Sequence, residues 1–306
     1  MTDIKIANRL HAPPGHCAVK AMATNSHKRR KWAYIRHMRQ EFFRLLLERL
    51  WGKPFFQQSV VTTADLNEGL TVVLPGIEAA GPFAQGMVRG LAGAVPGAVR
   101  IFYWGIPFPE GYVPNLIWLN RNRAKAAELA QLIVTYQDQY PGRPVNIVAN
   151  SGGAGPAIFA VEMLPPDRAI DGLVFLGGAI SSCYDLRPAL RRLRNGIFNF
   201  YSRRDWIVLG IGTTLFGTSD RKPHLSCGFV GFKRPEQLAD PEYLYARLYQ
   251  VKWQPSLIDD CGHWGTHGFS ASEEFVRRHV APWIVNKQPA GTAECEQSSP
   301  DNAAVP

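Results

Sequence analysis

The stretch "VNIVANSGGAGPAIFA", residues 145–160, places Ser151 where an apolar run meets a turn with three glycines in the next four residues. Two chemistries use such a turn. Glycines let a backbone cradle phosphate, or they clear space around a reactive side chain. The phosphate pattern fails here. In a Gly-x-Gly-x-x-Gly reading, Gly153 and Gly155 are followed by Ile158 instead of a third glycine. A P-loop needs Gly-Lys-Ser/Thr, and no lysine lies between residues 126 and 221. The remaining reading is a nucleophilic serine on a sharp strand-to-helix turn. Such a turn brings two backbones together, so the residues two before and two after must be small. Here they are Ala149 and Gly153. That pattern arises by chance in about every second chain of this length; its position between a strand and a helix is what gives it weight.

A serine nucleophile needs a base, and the base needs an orienting acid. In a parallel sheet these gather at the carboxyl ends of strands. "FNFYSRRDWIV" places Asp205 just beyond an apolar run, and "LIDDCGHWGTHGF" places His263 before the last helical segment. The order Ser151, Asp205, His263 suits a serine hydrolase of this architecture. Asp185 in "SSCYDL" is the alternative acid, Asp259 and Asp260 stand too near the histidine to orient it, and His267 reads as a loop or helix-start residue. Two N–H donors must hold the oxygen that becomes negative. Gly152 supplies one, and Ile77 in "TVVLPGIEAAGP" the other. The side chain of Glu78 is expected to point away, because a carboxylate there would oppose the developing charge.

"LPGI", "ANSGGAG", "SRRDWIV" and "CGHWG" together resemble the α/β-hydrolase superfamily over about residues 70–285. Ala149 departs from its common Gly-x-Ser-x-Gly. The resemblance implies a mostly parallel, doubly wound α/β sheet and a serine esterase or lipase-like activity. It implies an acyl-enzyme intermediate and no cofactor or metal. The implied partner is a small-molecule ester or lipid. A non-catalytic member that binds a ligand or partner, and an acyltransferase using the same serine, stand as alternatives.

The elements that must carry these residues alternate. "TVVLPGI", "AVRIFYWG", "PVNIVAN", "DGLVFLGG", "GIFNFYS" and "PSLIDDC" read as strands. "GPFAQGMVRGLAGAV", "NRNRAKAAELAQLIVTYQDQY", "GPAIFAVEML" and "SASEEFVRRHVAPWI" read as helices, the last capped by Ser270 or Ser272. Continuously apolar strands alternating with helices predict a parallel sheet covered on both faces. "WIVLGIGTTLFG", after Asp205, either lines an acyl pocket or packs on the core.

The net charge of +9 is local: residues 1–53 hold 12 Lys/Arg against 3 Asp/Glu, and residues 54–306 hold 22 of each. The body therefore offers no nucleic-acid surface. The expected organisation is a disordered segment 1–27, a basic amphipathic helix 28–53, a hydrolase domain 54–286 and a disordered tail 287–306. Met22 offers an alternative start. The basic helix would dock on the body, lie on an anionic membrane surface or bind an acidic polymer such as nucleic acid through charge. Five scattered cysteines argue against a disulfide framework, and neither a signal peptide nor an apolar run of spanning length is present. A cytoplasmic protein, with peripheral association at the inner membrane as an option, is the expectation.

Overall fold

The computed structural model describes residues 65–78, 81–106, 110–212, 217–222, 224–234 and 242–286, with residues 29, 31–33, 35, 36, 39 and 40 of the N-terminal segment. Those eight N-terminal positions are helical; the rest of the expected helix 28–53, and the segments 1–27 and 287–306, lie outside the described residues. No helix among the described residues is long and apolar enough to cross a membrane.

Six parallel strands form one sheet: β1 (Leu70–Leu74), β2 (Ala98–Ile101), β3 (Val145–Asn150), β4 (Ile170–Leu176), β5 (Leu193–Tyr201) and β6 (Leu248–Lys252), in the spatial order β2-β1-β3-β4-β5-β6. β1, β3 and β4 are buried at every position, as strands covered on both faces must be. Successive residues point to opposite layers. Leu74, Ile147, Ala149 and Phe175 pack with helices α3 (Leu119–Gln139) and α4 (Ala154–Glu162), through Leu129, Ile133 and Ile158. Val73, Val148, Val174 and Leu176 face the other layer. There they meet Met87 and Leu91 of α1 (Pro82–Leu91) and Phe275, Val276 and Trp283 of the closing helical run 273–286. A short helix, α2 (Tyr112–Ile117), precedes α3. The doubly wound α/β sheet expected from the sequence is present.

Two expectations change along the carboxyl-terminal third. "PSLIDDC" is not a strand; Ser256–Cys261 form helix α5. Pro255 precedes it, Asp259 lies in its first turn, and Gly262 closes it in the left-handed conformation (φ 72°). Those are helix start and stop signals. The true last strand is "LYQVK", an edge strand whose residues are half-buried or exposed. Its weaker apolar pattern hides it among the surrounding polar residues. The apolar "WIVLGIG" forms a short π-helix, Trp206–Gly212. Leu209 packs inward, while Trp206 and Ile207 are exposed. Ser272 stands at the N-cap position of the closing run without a side-chain cap bond.

The close strand-to-helix approach at the serine turn is visible in Gly153. A Cβ there would overlap the carbonyl oxygen of Pro75 and lie 2.9 Å from that of Leu74. Neither backbone oxygen can swing aside as a side chain would. Replacing Gly153 with alanine should therefore force strand β1 and the serine turn apart. The expected cost is about 1–3 kcal/mol, read as a lower urea midpoint with an unchanged m-value.

Candidate active site

Strands β1, β3, β4 and β5 end along one edge, and the residues that follow them build the site. After β3 the chain turns at Ser151 with φ 49°, one of two non-glycine residues at positive φ among the described residues. The conformation is costly for an L-residue. It is held by a one-turn 3₁₀ segment, Ser151–Gly153, leading straight into α4. The Ser151 carbonyl accepts from Ala179 N–H at 2.9 Å, which ties the turn to the loop after β4. On the side of β3, Asn150 Nδ2 donates to Leu176 O at 3.0 Å. Strain fixed on both sides is the arrangement expected where a side chain must be held out of its preferred geometry.

After β5, Asp205 is buried (6% exposed) at the start of the π-helix. Its Oδ2 meets Nδ1 of His267 at 2.6 Å. This is a short, charge-assisted contact. It places the Nδ1 proton on the carboxylate side and leaves Nε2 free to accept. The His267 side chain keeps about a fifth of its surface accessible. Burial pulls the pKa of His267 down, but the Asp205 charge and its hydrogen bond, with Glu78 adding to them when ionised, carry it above the ordinary imidazole value.

The turn after β1 lies against the serine. A Cβ placed on Gly76 would lie 3.2 Å from Ser151 Cβ, and one placed on Gly152 would lie 3.5 Å from the backbone nitrogen of Ile77. The two expected donors, Ile77 N–H and Gly152 N–H, are thus neighbours. Three buried groups hold that turn in place. Trp104 Nε1 donates to Pro75 O at 2.8 Å. Asn115 Nδ2 donates to Ile77 O at 2.8 Å, while its Oδ1 accepts from Ile106 N–H at 2.7 Å. Asn122 Nδ2 in turn donates to Asn115 O at 2.8 Å.

No family model matches the chain, and no curated protein matches it in sequence. Among solved structures it is similar to an esterase assignment from Staphylococcus aureus, at 8% identity and TM-score 0.39, covering 71% of this chain and 76% of the other. It is also similar to carboxyl esterase 2 of the mycorrhizal fungus Tuber melanosporum, at 11% identity and TM-score 0.38, covering 68% and 72%. Likenesses this distant say nothing of activity, and the fold rests on the sheet order itself.

The expected histidine is not the one that reaches the acid. His263 is buried (6% exposed) and turned into the core. Its ring packs edge-on against Phe275 at 4.6 Å, and its Nδ1 accepts from Gly265 N–H at 3.1 Å. Its backbone is equally committed, donating to Leu257 O and accepting from Trp253 Nε1. The loop then turns through Gly265 and Gly268, both at positive φ, and carries His267 to Asp205. His263 lines a cavity with Gly177, Ser202, Asp205 and Ser270, from which Ser151 is absent. The last strand ends at Lys252, and the segment directly before His263 is helix α5, so His263 does not follow a strand end. Asp185 is engaged elsewhere: Arg187 clasps it with Nε and Nη2 at 2.9 and 2.8 Å, and that bonding holds its carboxyl below the usual range. Asp260, at the end of α5, binds His279 and Arg278. Glu78 also departs from expectation, since its carboxyl folds in over Gly76 and is 6% exposed. Glu78 and Asn115 could not have been singled out from sequence. One is an ordinary turn acid, the other a polar residue within a short helix.

Burial and the nearby His279 charge push the His263 imidazole from 6.5 down to about 3. Between those values the unfolded chain binds a proton that the folded protein does not. Stability therefore falls as pH is lowered across that window, by about 1.4 kcal/mol per unit from this group. Urea denaturation of His263→Asn should show a shallower loss from pH 6.5 to 4 than the parent protein. An unchanged slope would show that His263 is not the group responsible.

Proposed function

We propose that this protein is a serine hydrolase of carboxylic esters, working through an acyl-enzyme intermediate. The observation that carries the reading is the strained Ser151 (φ 49°) on the same sheet edge as a 2.6 Å Asp205–His267 pair. In this reading His267 Nε2 takes the proton from Ser151 Oγ as the oxygen attacks the acyl carbonyl. Asp205 holds the imidazole in the needed tautomer and stabilises the imidazolium. The N–H groups of Ile77 and Gly152 receive the negative oxygen; one such donor is worth about 3 kcal/mol of barrier. The imidazolium then protonates the leaving alcohol, and water, activated by the same histidine, releases the acid.

A hydrophobic acyl or alcohol group is the proposed substrate feature. Trp206 and Ile207 are exposed immediately after Asp205, which supports an apolar rim beside the reacting centre. At the N-terminus, Lys31 Nζ lies 4.6 Å from the centroid of the Trp264 ring, in the loop that carries His267. That contact favours docking of the basic segment on the body.

Turnover of p-nitrophenyl esters of increasing chain length, with fluorophosphonate labelling, tests the reading. Ser151→Ala should abolish labelling, and both Ser151→Ala and His267→Ala should lower kcat by about 10⁴-fold or more. His263→Asn should keep most of the turnover. Absence of labelling in the parent protein, or loss of turnover in His263→Asn with His267→Ala active, would overturn the assignment.

A further inference from the structure

Glu78 sits where a serine hydrolase can least tolerate a negative charge. A Cβ placed on Gly76 would overlap Glu78 Oε2 and lie 3.2 Å from Ser151 Cβ and 3.3 Å from Asn150 Oδ1, so the carboxyl and the serine flank the same point. Its Oε1 is buried and has no hydrogen-bond partner among the described residues. A buried carboxyl oxygen left without a partner is rare, because it forfeits water and gains nothing in return. Oε1 is thus left able to take up a contact from a bound molecule.

The charged or titratable groups that act on Glu78 are few. His267, from the loop before the closing helix, exerts a Coulombic pull, and the N–H groups of Gly76 and of Glu78 itself favour its ionised form. Those acting on His267 are Asp205 from the loop after β5 and Glu78 from the turn after β1. Burial outweighs the influences that favour ionisation of Glu78, so its pKa is raised. Burial thus disfavours the Glu78 anion, as it can for an acid that must donate at neutral pH.

We propose that Glu78 is a catalytic group, kept protonated, that donates a hydrogen bond from Oε1 to the oxygen that becomes negative when Ser151 attacks an acyl carbonyl. The proposal rests on the serine-hydrolase reading. Glu78 adds a third donor to those of Ile77 and Gly152. It also removes a conflict that an ionised Glu78 would create, since a carboxylate would repel the oxyanion. The competent enzyme carries one proton on the pair, on Glu78 and not on His267. A second proton disables the base. Loss of the proton from Glu78 removes the donor and adds repulsion. Turnover is therefore bell-shaped in pH, the acid limb reporting His267 and the alkaline limb Glu78.

The test is the pH profile of kcat for a p-nitrophenyl ester in the parent protein, Glu78→Gln and Glu78→Leu. Fluorophosphonate labelling and thermal melts of each are measured alongside. Glutamine keeps the shape and an N–H donor but cannot ionise. It should cost less than about tenfold at the optimum and lose the alkaline limb. Leucine should cost about a hundredfold or more while the fold is kept. An alkaline limb that survives in Glu78→Gln or is missing from the parent would overturn the proposal, as would a glutamine variant as slow as the leucine one. Labelling separates the two levels. A parent protein that reacts with the probe but lacks these pH effects refutes the role of Glu78 alone, whereas one that does not react refutes the hydrolase reading beneath it.

Discussion

The hydrogen bond between Asp205 and His267 is the interaction on which the arrangement of the site depends. It joins two loops, one after β5 and one after α5, separated by 62 residues of sequence. A buried carboxylate without a partner would be costly; an imidazole that accepts none of its charge would have no fixed tautomer. Each group removes the other's difficulty. The loop geometry follows from that. The chain passes His263 into the core, turns at Gly265, and returns at Gly268. The two histidines have opposite fates because of their neighbours. One is buried against Phe275 with His279 nearby, and its pKa is pushed down; the other faces two carboxyls, which raise its own.

The serine turn imposes the second constraint. Positive φ at Ser151 is paid for by backbone packing, with β1 pressed against Gly153 and the β4 loop bonded to the Ser151 carbonyl. The same closeness that strains the serine brings the Pro75–Glu78 turn alongside it. That turn contributes a backbone donor at Ile77 and, because the space is so confined, encloses the Glu78 carboxyl with it. The chemistry proposed for Glu78 thus starts from packing, with that side chain turned inward over Gly76.

The strength of each signal explains how much of this was legible. Strands β1, β3, β4 and β5 are buried apolar runs, and α3 has a long unbroken helical pattern, so the layered architecture could be read directly. Ser151 could be read from its small neighbours, because steric exclusion at a tight turn constrains residue type. Asp205 could be read from its place after a strand. β6 could not, since an edge strand needs only a partial apolar face. Read as a strand, α5 puts a strand end directly before His263 and draws the choice to it instead of to His267, four residues on in the same loop.

What the amino-acid sequence determined by itself was local and periodic: the alternation of buried strands and helices, the small residues flanking Ser151, the concentration of positive charge before residue 54. These depend on residue types close together in the chain. Which histidine meets Asp205, that Asp185 is spent on Arg187, and that Glu78 turns inward were decided only by the tertiary structure. Each is set by distances between segments far apart in sequence, where a shift of four residues along a loop exchanges a core histidine for one that holds the acid, and nothing in the local sequence distinguishes the two.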